Sequence, residues 1–136
     1  MKKHFRILLA LFVFTLIISC ENNVEPKLST DSFIGSWVES GYEDNYNIAV
    51  MTKADSLASD KYGFTFLANG EFIERKNSGW CGTPPISYGN FKGNWIKTSD
   101  STIDINVAFW GGQDTFSIVI VSLNSDKLKF SNKRLN

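Results

Sequence analysis

The stretch Phe33-Ile34-Gly35-Ser36-Trp37-Val38-Glu39 decides the fold of this chain, because it predicts a first β-strand that contains a Gly-x-Trp motif. The segments after it alternate between apolar and polar residues with a period of two, which is typical of half-buried strands. Residues 52–60 predict a loop or one helical turn, since they have no apolar face. We therefore expect a run of short strands linked by hairpins.

The alternating segments define eight strands. Asn69-Gly70 lies between two of them, and this dipeptide is the strongest short-range signal for a β-hairpin. The predicted strands are Phe33–Ser40, Tyr46–Met51, Tyr62–Leu67, Glu71–Lys76, Tyr88–Lys97, Thr102–Phe109, Thr115–Leu123 and Lys127–Asn132.

Eight strands with short connections predict an all-β fold, an eight-stranded antiparallel up-and-down barrel. Closing the sheet removes the edges that would otherwise aggregate, although a β-sandwich is the alternative. A barrel of this size is filled by side chains or holds one small ligand. We expect a filled interior, because the predicted inward set is mostly aromatic: Trp37, Phe64, Phe66, Phe72, Phe91, Trp95, Ile103, Ile105, Val107, Phe109, Phe116, Ile118, Ile120, Leu128 and Phe130.

Two short motifs carry a family resemblance. Gly35-Ser36-Trp37 resembles the Gly-x-Trp of lipocalins and their calycin relatives, which implies that a basic residue near the carboxyl end, Lys133 or Arg134, packs on the tryptophan. Residues 64–72 (FTFLANGEF) and 91–95 (FKGNW) resemble the small lipocalin-like lipoproteins of Bacteroidota. The resemblance implies a lipocalin-like barrel domain over residues 33–136 that binds a ligand.

The amino terminus predicts export and lipidation. A basic start is followed by the apolar run Ile7–Ile18, which is too short to span a bilayer and is typical of a signal peptide over residues 1–19. Ile17-Ile18-Ser19-Cys20 resembles a bacterial lipobox, which implies a lipid anchor, palmitate among its acyl chains, on Cys20. The alternative is an ordinary signal peptide with a chance cysteine. Residues 20–32 are then the lipidated cysteine and a tether to the envelope membrane, expected to be the outer membrane.

Composition excludes several classes of function. Removing the 19 signal residues from 136 leaves 117, with 11 basic and 14 acidic side chains, so we expect no nucleic-acid partner. The one histidine, His4, leaves with the signal peptide, which excludes His-based zinc sites and Ser-His or Cys-His pairs. Cys81 has no second cysteine for a disulfide and is expected to be a small buried side chain. We expect no metal and no cofactor.

Loop lengths suggest where a ligand would bind. In a meander the connections alternate between the two ends, so residues 52–60, 77–86 and 110–112 would meet at one end. Trp80, Tyr88 and Trp110 give that end an aromatic character and are the predicted ligand-binding residues. The alternative is that these rings cover the core as a lid.

Acidic side chains suggest two further sites, and we expect neither. The acidic and amide side chains near the first turn could suggest a calcium site, but their spacing matches no calcium-binding loop, and a solvated turn is the simpler interpretation. These residues are Glu39, Glu43, Asp44, Asn45 and Asn47. Glu74 shares the inward parity of Phe72 and is the carboxylate to test as a buried acid; Glu71 and Asp104 are the other carboxylates considered for catalysis.

The sequence therefore supports a non-catalytic, membrane-anchored lipoprotein that binds a small apolar ligand. The alternative is an interaction or structural lipoprotein of the envelope that docks a protein or a glycan through its aromatic loop end. We do not expect an enzyme.

Overall fold

The computed structural model describes residues 29–79 and 82–134. One short helix precedes eight strands in this part of the chain. The elements are α1 (Thr30–Phe33), β1 (Gly35–Glu43), β2 (Ile48–Ala54), β3 (Gly63–Phe66), β4 (Glu71–Asn77), β5 (Tyr88–Lys97), β6 (Thr102–Phe109), β7 (Gly112–Leu123) and β8 (Lys127–Arg134).

The strands form one closed antiparallel barrel in the order β1-β2-β8-β7-β6-β5-β4-β3, with β3 pairing back onto β1. This confirms the predicted all-β, eight-stranded barrel and excludes the sandwich. The strands lie close to their predicted positions, and the bounds of β5 and β6 agree with the prediction at both ends.

The strand order departs from a strict up-and-down meander at one place. β1 lies between β2 and β3, and β2 pairs with β8 instead of with β3. The chain of residues 55–62 therefore passes β1 before β3 begins, and Leu57 lies over Gly63 on the way. A Cβ at Gly63 would lie 2.6 Å from the Trp37 carbonyl oxygen and 3.1 Å from Leu57 Cδ2, so this close crossing requires glycine.

Side-chain alternation puts one apolar face of every strand inside the barrel. The predicted inward residues form the core or pack against it, except that Phe109 is half-buried near the end of β6. Phe33 and Met51 join this core although they were not in the predicted set. The fully buried interior is closely filled: Phe33, Trp37, Met51, Phe64, Phe66, Phe72, Ile103, Ile105, Val107, Ile118, Leu128 and Phe130.

One end of the barrel is closed by the helix α1, and we call it the plugged end. Phe33 is 0% exposed, and its ring packs edge-on against Phe66 and Trp95 at centroid distances of 5.3 and 5.1 Å. Trp37 Nε1 donates a hydrogen bond of 2.7 Å to the Phe33 carbonyl oxygen. The sequence prediction was wrong here, because residues 30–32 were assigned to the tether and Phe33 to a strand. Burying the Phe33 ring over the open core favours the helical turn.

A lysine packs on the Gly-x-Trp tryptophan, but it is Lys53 and not Lys133 or Arg134. Lys53 Nζ lies 4.5 Å from the centre of the Trp37 ring and donates to the Ile34 carbonyl oxygen. Trp37 pairs with Lys53 at the plugged end, where β8 begins at Lys127. Lys133 lies six residues further along β8, or about 20 Å at ~3.3 Å per residue, which places it far from Trp37.

Candidate functional site

Three connections meet at the end opposite α1, which we call the mouth. β1 runs away from the plugged end and its neighbours alternate in direction, so the β1–β2, β4–β5 and β6–β7 connections all lie at the mouth. The prediction grouped the β2–β3 connection with the last two. In the structure the β1–β2 turn lies at the mouth with these two connections, and the β2–β3 connection starts at the plugged end. The reason is that β1 lies between β2 and β3, so β2 ends where β1 begins.

The predicted ligand-binding residues that the structure describes lie at this end. Trp110 is in the β6–β7 turn, 63% exposed, with its ring edge-on to Phe109 at 5.9 Å. Tyr88 is half-buried at the start of β5, where it pairs with Asn77. Trp80 lies outside the described residues, as do Cys20 and Cys81.

The sequence analysis missed Tyr46, which is the most exposed large apolar side chain of the described chain at 81%. It follows Asp44 and Asn45 in the β1–β2 turn, and all three have positive φ angles, of 70° for Tyr46 and of 49° and 52° for the other two. Asp and Asn adopt this left-handed conformation readily, whereas a tyrosine does so rarely. The Tyr46 ring contacts Tyr42 at a centroid distance of 5.4 Å. We call Tyr42, Tyr46, Tyr88 and Trp110 the aromatic rim.

Polar side chains occupy the inner face of the barrel below this rim. Glu39 pairs with the fully buried Met51, which places Glu39 on the inner face of β1. Tyr42 pairs with Ala49, which packs against the core. The Tyr42 hydroxyl donates a hydrogen bond of 2.5 Å to Glu39 Oε2. Partial burial, the hydrogen bond to Glu39 and the charges of Glu39 and Tyr88 raise the pKa of Tyr42 to about 12.

The second half of this polar group is centred on Glu74, which is 4% exposed. Tyr62 donates its hydroxyl to Glu74 Oε1 at 2.8 Å, and Lys76 Nζ donates to Oε2 at 2.5 Å. Lys76 Nζ also lies 5.3 Å from the centre of the Phe91 ring. Burial of its hydroxyl raises the pKa of Tyr62, and the Glu74 carboxylate, which accepts its hydrogen bond, raises it further.

We call Glu39, Tyr42, Tyr62, Glu74 and Lys76 the mouth cluster. It brings two carboxylates and one ammonium onto the inner face of the barrel near the mouth, and Glu39 also contributes to the raised pKa of Tyr62. Of these residues the sequence prediction singled out Glu74 as an inward acid and assigned Glu39 to a solvated turn. The parity that Glu39 shares with Trp37, and Lys76 with Glu74, was the signal that could have found these two residues. The bulge between Glu39 and Gly41 shifts the alternation, so parity could not have found Tyr42.

The three carboxylates considered for catalysis are not brought together. Glu74 lies inside the barrel, whereas Glu71 is exposed and accepts a hydrogen bond from Asn69, and Asp104 accepts one from Ser117 on the outer face. In the turn considered for calcium, Glu43 forms an ion pair of 2.8 Å with Lys129. Within residues 29–79 and 82–134, no group of three or more potential metal ligands is found.

No family model, curated protein or solved structure matches this chain. No helix in the described part of the chain has the length and apolar character needed to cross a membrane.

Proposed function

We propose that this protein is a non-catalytic binding lipoprotein, held at the bacterial envelope membrane through Cys20, that binds its ligand at the mouth. The observation that carries this proposal is the contrast within one barrel. Its apolar interior is filled by side chains, while exposed aromatic rings surround a partly buried polar cluster at the mouth. Exposed aromatic side chains around polar groups are a common feature of binding surfaces.

The filled interior favours docking at the mouth over deep binding of a small apolar ligand. The rings of Phe64, Phe66 and Phe72 on the neighbouring strands β3 and β4 contact one another at centroid distances of 5.1 to 5.7 Å, and Phe64 also contacts Phe130 of β8 across the interior at 5.6 Å. An apolar ligand inside would have to displace them, at the cost of the buried contacts that stabilise the core. The second interpretation from sequence, docking of a partner through the aromatic loop end, therefore has the stronger support.

The position of α1 supports an orientation for the anchored protein. The first described residue, Ser29, precedes α1 at the plugged end. The nine residues from Cys20 to residue 28 can span at most about 30 Å. An anchor on Cys20 therefore holds the domain close to the bilayer by its plugged end, which favours an orientation with the mouth towards the aqueous side.

Lipidation is tested by expressing the full chain and its Cys20→Ser variant. We expect the full chain in the membrane fraction with a mass that includes the lipid, and the variant in the soluble fraction with no added mass. Membrane association that survives Cys20→Ser would contradict the anchor.

Binding at the mouth is tested by mapping amide chemical shifts of the mature chain against hydrophobic, carbohydrate and peptide probes. We expect the shifts to change around Tyr46, Tyr88 and Trp110 and to stay constant in the β5–β6 and β7–β8 turns at the plugged end. Changes confined to the plugged end, or none with any class of probe, would contradict a binding role for the mouth.

A further inference from the structure

We infer that the ligand of the mouth is a neutral carbohydrate, bound as a hydroxyl-rich ring by the aromatic rim and the mouth cluster together. This inference rests on the proposed binding function and goes further by assigning the chemical class of the ligand. Three features of the mouth support it: the exposure of the rings, the hydrogen-bonding groups beneath them, and the charges that disfavour other classes of ligand.

The aromatic rim offers ring faces on different sides of one opening. The β1–β2 turn with Tyr46 and the β6–β7 turn with Trp110 are separated by β8 along the shorter path around the barrel. Both side chains are mostly exposed, and so is part of Tyr42. A sugar ring has apolar C–H faces that pack flat on such rings, and each ring can contribute a large contact area.

The backbone of Tyr46 shows that this ring is held outward at a cost. A left-handed conformation is unfavourable for an L-residue with a bulky side chain, and asparagine or glycine would fit the turn better. In the described structure the ring is in contact with Tyr42 and is otherwise turned to solvent. The backbone conformation at Tyr46 therefore keeps the ring exposed to solvent and does not bury it.

The mouth cluster supplies the hydrogen-bonding groups that sugar hydroxyls need. A hydroxyl both donates and accepts, so it pairs equally well with a carboxylate and with an ammonium. Glu39 accepts from Tyr42 through Oε2, and its Oε1 has no hydrogen-bond partner within the described residues. Lys76 has three donors, of which Glu74 takes one. These atoms lie on the inner face just below the rings.

The same cluster disfavours the other ligand classes. An alkyl chain would have to be buried against Glu39, Glu74 and Lys76, which desolvates charged groups without pairing them. An anion would meet two carboxylates. A cation would be attracted by the Glu39 carboxylate but repelled by the Lys76 ammonium, which lies beside Glu74 and over the Phe91 ring. A neutral, hydroxyl-rich ring avoids all three penalties.

The test is calorimetric titration of the mature chain with cellohexaose and mannohexaose, two neutral oligosaccharides, and with hexylammonium, hexanoate and hexanol as charged and apolar probes. We expect at least one oligosaccharide to bind more tightly than every other probe. The variants Trp110→Ala and Tyr46→Asn should each weaken that binding by about tenfold, the loss of roughly one stacked ring. Ile96→Ala is the matched control, because Ile96 is 62% exposed on the outer wall of β5, and it should leave the affinity unchanged.

The outcomes separate this inference from the function on which it rests. Tight binding of hexanol, hexanoate or hexylammonium at the mouth, with no response to either sugar, would overturn the carbohydrate assignment and leave binding at the mouth intact. Sugar binding that survives both rim variants would overturn the assigned residues. If no probe perturbs the mouth in the chemical-shift maps, both proposals fail.

Discussion

The plugged end and the mouth use the same kind of side chain in opposite ways. At the plugged end, Phe33, Trp37 and Trp95 pack together, and the two indole nitrogens donate to backbone carbonyl oxygens. At the mouth, Tyr46 and Trp110 are mostly exposed while charged residues lie beneath them. The difference teaches that aromatic content alone does not indicate function. A ring covered by the barrel stabilises the fold, and a ring left open at its end is available to a ligand.

The largest expected effect is the loss of stability when an aromatic ring is removed at the plugged end, compared with the same change at the mouth. Phe33→Ala removes a fully buried ring and should lower the free energy of unfolding by about 3–5 kcal/mol. Tyr46→Ala, the matched change at the mouth, should alter it by less than about 0.5 kcal/mol. Urea unfolding of the mature chain measures both. Equal losses for the two variants would break the comparison.

The next effect tests whether the mouth cluster is a coupled unit. Lys76→Met leaves the buried Glu74 carboxylate with Tyr62 as its remaining described side-chain partner and should cost about 1–3 kcal/mol. Because the Lys76 side chain is partly solvated, the lower part of that range is expected.

A double-mutant cycle with Glu74→Gln provides the control for this coupling. Combining Glu74→Gln with Lys76→Met should cost clearly less than the sum of the single changes, because neither charge is then left alone. Additive losses would show that the two side chains do not interact.

A smaller effect tests the lysine on the Gly-x-Trp tryptophan. Lys53→Met removes the ammonium from the Trp37 ring and its bond to the Ile34 carbonyl oxygen, and should cost about 1 kcal/mol. Lys133→Met should be neutral within ~0.5 kcal/mol. The reverse ranking in urea unfolding would restore the arrangement that the lipocalin resemblance implied.

The smallest effect is a pH dependence confined to alkaline solution. Tyr42 has a pKa of about 12 in the folded chain against a reference value of 10.0, so the folded state holds this proton more tightly. Its contribution to stability is complete below pH 10 and is lost as the pH rises towards 12. Tyr42→Phe should flatten the fall in stability over this range, as measured by unfolding at fixed pH values. An unchanged slope would contradict the raised pKa of Tyr42.

Much of the fold was predictable because alternation is a local property. The turn at Asn69-Gly70 and the parity of residues such as Phe64, Phe66 and Ile105 located strands and their inner faces. The same rule placed Glu74 inside. It did not identify α1, because four residues carry too little periodicity to predict a helix.

What the sequence by itself determined is which segments are strands and which of their faces are apolar. Each of these follows from the pattern of neighbouring residues. The tertiary structure alone decided that β1 lies between β2 and β3, that Lys53 reaches Trp37, and that Tyr62 bonds to the Glu39 backbone and to the Glu74 carboxylate. These relations join residues distant in sequence, and pairing between strand edges is set by the closure of the whole barrel. For that reason the sequence indicated Tyr88, Trp110 and an inward Glu74, while their grouping with Tyr46 and the rest of the mouth cluster became visible only in the folded chain.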